Sequence, residues 1–183
     1  MLTIRKILDR KRLRWKDHDY SGPYSYFVTI CVQDRLNNFG EIVNQKMKLN
    51  EYGEIADQQF KWLQNQYLYI EIPIWIVMPN HVHAIIEIDD TRGRSRPTPG
   101  NNTELMKTKP LPELIGAYKT TTSKKIHQSG FSGFRWQRSY HERIIRNKIQ
   151  YIHISEYIRN NPVVMSGRDR TKGNATSGRD RST

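Results

Sequence analysis

Residues 75–88, near the middle of the chain, limit most strongly what it can fold into. From position 81 onward they alternate as a β-strand does, with four apolar residues on one face: Val82, Ala84, Ile86 and Ile88. His81 and His83 lie on the other face with Ile85 and Glu87. Two histidines so placed point the same way and are close enough to share one ion. Such a pair is also typical of the solvated face of a sheet, so alone it leaves both interpretations open.

A second motif, at residues 156–162, bears on that choice. Tyr157 and Asn161 are four positions apart, so on a helix they share one face, one turn from each other. A lone helical tyrosine is most often a packing residue. Combined with the histidine strand, however, the motif would supply a nucleophile and an amide oxygen as a third metal ligand.

Five blocks of sequence follow one another between residues 5 and 165: 26–31, 49–53, 77–83, 136–147 and 157–162. Together they resemble the single-tyrosine HUH transposases and, within that family, the branch of REP-associated tyrosine transposases. The resemblance implies an enzyme that cleaves and rejoins single-stranded DNA at hairpins through a covalent 5′-phosphotyrosine. It also implies palindromic hairpins with a flanking guide sequence as the partner, and a protein that acts as a monomer or a homodimer.

The resemblance assigns roles to four residues: the metal ligands His81, His83 and Asn161, and the nucleophile Tyr157. Two imidazoles and one amide oxygen leave open positions for phosphate oxygens, and Mg²⁺ or Mn²⁺ is the expected ion. His153 lies one turn before Tyr157 and is an auxiliary candidate for the general base.

Three alternatives stay open. Tyr140 and Tyr151 are rival nucleophiles, although neither is followed by a carboxamide four residues later, and Asn160 is a rival to its neighbour. A histidine-triad hydrolase would need a third histidine where Ile85 stands. A regulator that binds nucleic acid without cleaving it, on the same scaffold, is the alternative from another functional class.

The charge of the chain indicates a polyanionic partner. The 183 residues carry a formal net charge of +12, and nucleic acid is the commonest partner of such chains. Candidate DNA-binding residues lie in the N-terminal arm and around a predicted helix: Arg5, Lys6, Arg10, Lys11, Arg12, Arg14, Lys119, Lys124, Lys125 and Arg138. With no apolar run near the ~18 residues of a membrane span, no apolar signal core and one cysteine, we expect no membrane partner and a cytoplasmic, nucleoid-associated protein of prokaryotic type.

The predicted elements run strand, helix, strand, strand, helix, strand, helix. They cover residues 24–32, 50–66, 69–77, 81–88, 111–127, 134–139 and 147–161, the last helix ending at Pro162. This is the order of an α+β ferredoxin-like sandwich, an antiparallel sheet with helices on one face, plus a C-terminal helix that carries the tyrosine. We expect one domain over 1–165, with a basic arm at 1–20 and a flexible insertion at about 89–109. A Gly/Ser/Arg-rich tail at 166–183 is expected to be disordered.

Overall fold

The computed structural model describes residues 18–89 and 108–173, with backbone alone for 164–173. Nine helices and strands follow in this part of the chain: β1 (Ser25–Cys31), β2 (Gly40–Val43), β3 (Lys46–Leu49), α1 (Glu51–Gln66), β4 (Ile70–Met78), β5 (His81–Ile88), α2 (Leu111–Gln128), β6 (His141–Ile145) and α3 (Lys148–Gly173). The basic arm through residue 17 and most of the predicted insertion, 90–107, lie outside the described residues. No helix within 18–89 and 108–173 is long and apolar enough to cross a membrane.

The main sheet has four strands in the order β4-β5-β1-β6, and each neighbouring pair is antiparallel. With two helices between its strands, this is the ferredoxin-like sandwich that the order of the elements predicts. β2 and β3 form a separate hairpin, in which Asn44 and Gln45 both have positive φ, as a tight two-residue turn requires.

The two faces of the sheet carry different layers. Val82, Ala84, Ile86 and Ile88 lie in the large core beneath α1 and α2, where the rings of Phe60 and Tyr118 stack 4.2 Å apart. On the opposite face, Ile154 and Ile158 of α3 pack against Ile85. The central strand β5 is therefore covered on both sides, and its alternation places the histidines on the α3 side.

Local features of the sequence are confirmed in three places. The Asn50 side chain caps α1 by accepting a hydrogen bond from the backbone N–H of Gly53. β4, which contains Pro73, is an edge strand with a register shift between Glu71 and Ile74, as a proline in a strand indicates. β4 and β5, predicted as two strands that follow one another directly, form a hairpin with Met78 opposite His81.

The position of the fourth strand is wrong in the sequence prediction. Residues 134–139 contain only an isolated bridge between Trp136 and Val32, and the strand beside β1 is β6, at His141–Ile145. Phe134 and Trp136, in the segment predicted as a strand, are buried in the core under α1 and α2 instead. β6 is an edge strand rich in charge, which is common at sheet edges and weakens the apolar alternation that marks a strand.

The predicted end of the last helix is also wrong. Pro162 lies inside α3, which continues to Gly173. A proline removes one helical hydrogen bond, but the Pro162 ring is buried, and the apolar surface it covers offsets that loss. Residues 166–173 of the predicted disordered tail are thus helical, and the remaining 174–183 lie outside the described residues.

Candidate active site

His81 and His83 stand at the start of β5, directly after the β4–β5 turn. Their ring centroids are 4.6 Å apart and their Nε2 atoms 3.1 Å apart. Both side chains are buried, with 8% and 4% of their surface exposed, so they are not the solvated pair that the motif alone allows. The two imidazoles converge on one point.

Each imidazole is oriented by a hydrogen bond at its Nδ1 atom, on the other side of the ring from Nε2. The Nδ1 atom of His81 lies 2.7 Å from Oδ1 of Asn80, an oxygen that only accepts, so the His81 proton is on Nδ1 and its Nε2 carries a lone pair. The Nδ1 atom of His83 lies 2.8 Å from the Thr29 hydroxyl, which can donate or accept. When Thr29 accepts, both Nε2 lone pairs face the same point, as two ligands of one ion do.

Burial also sets the charge of the pair. It lowers the pKa of His81 to about 4, with a smaller contribution from the Arg35 guanidinium. It lowers the pKa of His83 to about 3, with a further contribution from His81. Both imidazoles are therefore neutral at pH 7, the form that binds a metal ion.

α3 brings Tyr157 to the histidines. Its ring centroid lies 5.4 Å from that of His83 and 6.0 Å from that of Phe27, which itself packs 5.2 Å from His83. Tyr157 is 43% exposed, so a polymer arriving from solvent can reach it. A nucleophile beside a buried ligand pair is the arrangement that in-line attack on a metal-bound phosphate needs.

Asn161 lies one turn further along α3 and is buried, with 2% of its surface exposed. Its Oδ1 atom has no hydrogen-bond partner among the described residues. A buried acceptor without a partner is costly, and a metal ion would satisfy it. Within 18–89 and 108–173, no three His, Cys, Asp or Glu side chains are grouped to hold a metal, so an ion at the histidines would need a ligand of another kind.

The rival tyrosines lie elsewhere. Tyr151 packs on the α3 side, where burial and a hydrogen bond to Glu87 raise its pKa to about 12. Glu87 is four residues along β5 from His83, about 13 Å away at strand spacing. Tyr140 lies in the core on the opposite face of the sheet. Asn160, the rival to Asn161, is exposed on α3, as is the auxiliary candidate His153.

Sequence reasoning missed the neighbours of the site on other strands. The register places Thr29 between His83 and His141, and Phe27 beside Arg143. His141, Arg143 and Ile145 are every second residue of β6, so their side chains point to one face of the sheet. Ile145 packs on the α3 side, which is the face that carries the two histidines of β5. The charged residues of 141–145 leave only a weak apolar alternation, and the strand was predicted at 134–139, so these neighbours were missed.

The predicted DNA-binding residues that the structure describes lie away from this face. Lys119, Lys124 and Lys125 are on α2, and Lys119 Nζ donates to the carbonyl oxygens of Gln137 and Arg138 at 2.7 and 3.1 Å. The six basic residues predicted in the arm, Arg5 to Arg14, lie outside the described residues.

The fold defined by this sheet and its three helices occurs in a known structure, that of a REP-associated tyrosine transposase bound to a REP hairpin. The TM-score is 0.52 at 19% sequence identity, over 83% of this chain and 73% of that one. At this identity the likeness is one of fold. It confirms the fold that the five sequence blocks imply.

An uncharacterised protein of Haemophilus influenzae is 31% identical to this chain over 163 residues, which are 86% of this chain and 91% of the relative. The chain belongs to one family with that protein, and the family has the fold of the REP-associated tyrosine transposases. No protein-family model matches the chain.

Proposed function

We propose that the protein is a metal-dependent endonuclease and strand transferase that cleaves single-stranded DNA at hairpins through a covalent 5′-phosphotyrosine. The observation that carries the proposal is the position of Tyr157, half-exposed and 5.4 Å from one of two buried histidines whose Nε2 atoms converge. The structural neighbour bound to a REP hairpin supports a DNA hairpin as the partner, which we extend to a palindromic hairpin with a flanking guide sequence.

The residues present fit Mg²⁺ or Mn²⁺, with His81, His83 and Asn161 as its ligands. Bound there, the ion would polarise the scissile phosphate and offset the charge that develops in the transition state. Asn80 and Thr29 hold the two imidazoles in the orientation that presents Nε2. Burial keeps both rings neutral, the form in which an imidazole binds a metal ion.

Tyr157 is the proposed nucleophile. Its oxygen attacks the phosphorus in line, the new bond joins that oxygen to the 5′ phosphate, and the bond to the 3′ oxygen breaks. The phenolic proton is lost and the leaving 3′ oxygen takes one up, so charge balances over the step. His153, exposed one turn before Tyr157, is the candidate to accept the phenolic proton. A 3′ hydroxyl can then attack the phosphotyrosine, which rejoins the strand without ATP.

We place this activity in a cytoplasmic, nucleoid-associated protein that acts as a monomer or a homodimer. A regulator that binds without cleaving would share the fold. Both histidines lie beside Tyr157, and the buried amide of Asn161 is one turn further along α3, which together favour the nuclease.

A nicking assay on a labelled single-stranded hairpin tests the metal assignment. Wild type should cleave with Mg²⁺ or Mn²⁺ and stop cleaving in EDTA, whereas His81→Ala and His83→Ala should bind the hairpin but not cleave it. Asn161→Ala should cleave more slowly than wild type but remain active, because water can replace one ligand. Asn160→Ala is the matched control and should cleave normally. Unchanged cleavage by His81→Ala would contradict the assignment.

A further inference from the structure

A basic cleft lies between α2 and the segment 134–136, on the side of the sheet away from the histidines. Its volume is about 690 Å³, and its lining includes Lys119, Ser123, Lys124, His127, Arg135 and Trp136. No carboxylate is among the lining residues. The cleft thus concentrates positive charge that acidic side chains in its wall do not neutralise.

Backbone carbonyl groups hold the cations of the cleft in place. Lys119 Nζ donates to the carbonyl oxygens of Gln137 and Arg138, and Arg135 Nη1 donates to those of Ser132 and Phe134 at 2.7 and 2.8 Å. Carbonyl oxygens fix the direction of these groups without cancelling their charge. An anion therefore meets a preorganised site.

Hydrogen bonds connect the cleft to the histidine end of the sheet. Gln33 N donates to Arg135 O and Gln137 N donates to Cys31 O, both at 2.9 Å, which fastens the segment beyond the cleft to the end of β1. On its other side, the same end of β1 pairs with His81 through Cys31. In the plane of the sheet the two sites are two strand spacings apart, on the order of 10 Å, and because they lie on opposite faces a DNA strand that joins them follows a longer path.

We propose that this cleft binds a phosphate of the DNA strand that is cleaved at Tyr157, a few nucleotides from the scissile bond. Stacked nucleotides advance by roughly 3.4 Å each, so the in-plane offset alone corresponds to about three of them and the whole path to more. The cations and the Ser123 hydroxyl suit a phosphodiester. Contacts of this kind are made to the phosphate and not to the base, so they do not depend on the DNA sequence. The inference rests on the proposed function, since it takes the same DNA as the ligand.

Two exposed lysines provide a matched test. Lys124 lines the cleft, whereas Lys46, exposed at the start of β3, carries the same charge and does not line it. Affinity for a labelled hairpin with a single-stranded flank is measured by fluorescence anisotropy between 50 and about 300 mM salt, for wild type, Lys124→Ala and Lys46→Ala. We expect Lys124→Ala to weaken binding about tenfold and to reduce the slope against log salt by about 1, as loss of one phosphate contact does. Lys46→Ala should stay within about twofold of wild type.

The outcomes of this experiment bear separately on the proposed phosphate site and on the proposed nuclease. If wild type binds and the two variants are weakened equally or not at all, the cleft assignment is overturned and the proposed cleavage is unaffected. If Lys124→Ala alone is weakened but wild type forms no covalent adduct, the cleft stands and the nuclease proposal fails. A wild type that does not bind the hairpin overturns both. Circular dichroism of each variant confirms that its fold is intact.

Discussion

At the scale of single residues, the Thr29 hydroxyl decides how His83 is presented. It lies 2.8 Å from His83 Nδ1, and it comes from the neighbouring strand β1. When the hydroxyl accepts a hydrogen bond from Nδ1–H, the Nε2 lone pair is directed at the shared point with His81. Residues that orient a ligand histidine in this way raise its basicity and fix its tautomer.

Thr29→Val tests this role because valine keeps the branched shape and removes only the hydroxyl. We expect Mn²⁺ affinity to fall by roughly 10–100-fold, as replacement of a hydrogen-bond partner behind a ligand histidine does. Isothermal titration calorimetry with Mn²⁺ measures it without any cleavage. Thr121→Val is the matched control, since the Thr121 hydroxyl bonds only to carbonyl groups of its own helix. Equal affinity in Thr29→Val and wild type would show that the hydroxyl does not orient His83.

At the scale of elements, the start of α1 is pressed against the chain before β2. A Cβ atom on Gly53 would lie 2.2 Å from the carbonyl oxygen of Phe39, which is backbone and cannot turn aside. Gly116, in α2, has nothing within 4 Å of the corresponding position. A close backbone contact therefore requires glycine at position 53, whereas the surroundings of Gly116 would accept a larger side chain.

Alanine at each position should change stability in opposite directions. Gly53→Ala should lower the free energy of unfolding by about 1–3 kcal/mol, because the contact with Phe39 forces a backbone shift. Gly116→Ala should raise it by about 0.5–1 kcal/mol, since alanine loses less entropy in a helix. Urea denaturation followed by circular dichroism measures both. Stabilisation by Gly53→Ala would mean that α1 is not held close to Phe39.

At the scale of the whole molecule, the sheet order places the site on its two central strands. β5 carries the histidines and β1 carries Thr29 and Phe27, with α1 and α2 packed beneath and α3 above. Central strands covered on both faces are the most rigid part of such a fold, and a metal site needs ligands held within narrow tolerances. α3, which covers the face opposite α1 and α2, carries the tyrosine.

Local patterns predicted much of this architecture. The alternation of β5, the Asn50 cap of α1 and the β4–β5 hairpin each depend on residues close together in sequence. The end of α3 was mispredicted because the burial of Pro162 is a tertiary effect that local propensity does not contain. β6 was misplaced because Phe134 and Trp136 have strand-like composition but are used as core residues.

The candidate site was also predicted only in part. Spacing along the chain predicted that His81 and His83 share a face, and that Tyr157 and Asn161 are one turn apart. The contact of Thr29 with His83, and the position of Arg143 on the same face, depend on the register between strands distant in sequence. No periodicity within one segment carries that register.

The covalent adduct between the protein and DNA tests the central claim most directly. Wild type is incubated with Mn²⁺ and a labelled hairpin, and the adduct is resolved on a denaturing gel, with mass spectrometry to locate the modified tyrosine. Tyr157→Phe removes one hydroxyl, so it should bind the hairpin as wild type does and form no adduct. Tyr151→Phe, on the same helix, and Tyr140→Phe, on the opposite face of the sheet, should both form it. An adduct that persists in Tyr157→Phe, or that is lost in Tyr151→Phe or Tyr140→Phe with the fold intact, would contradict the account.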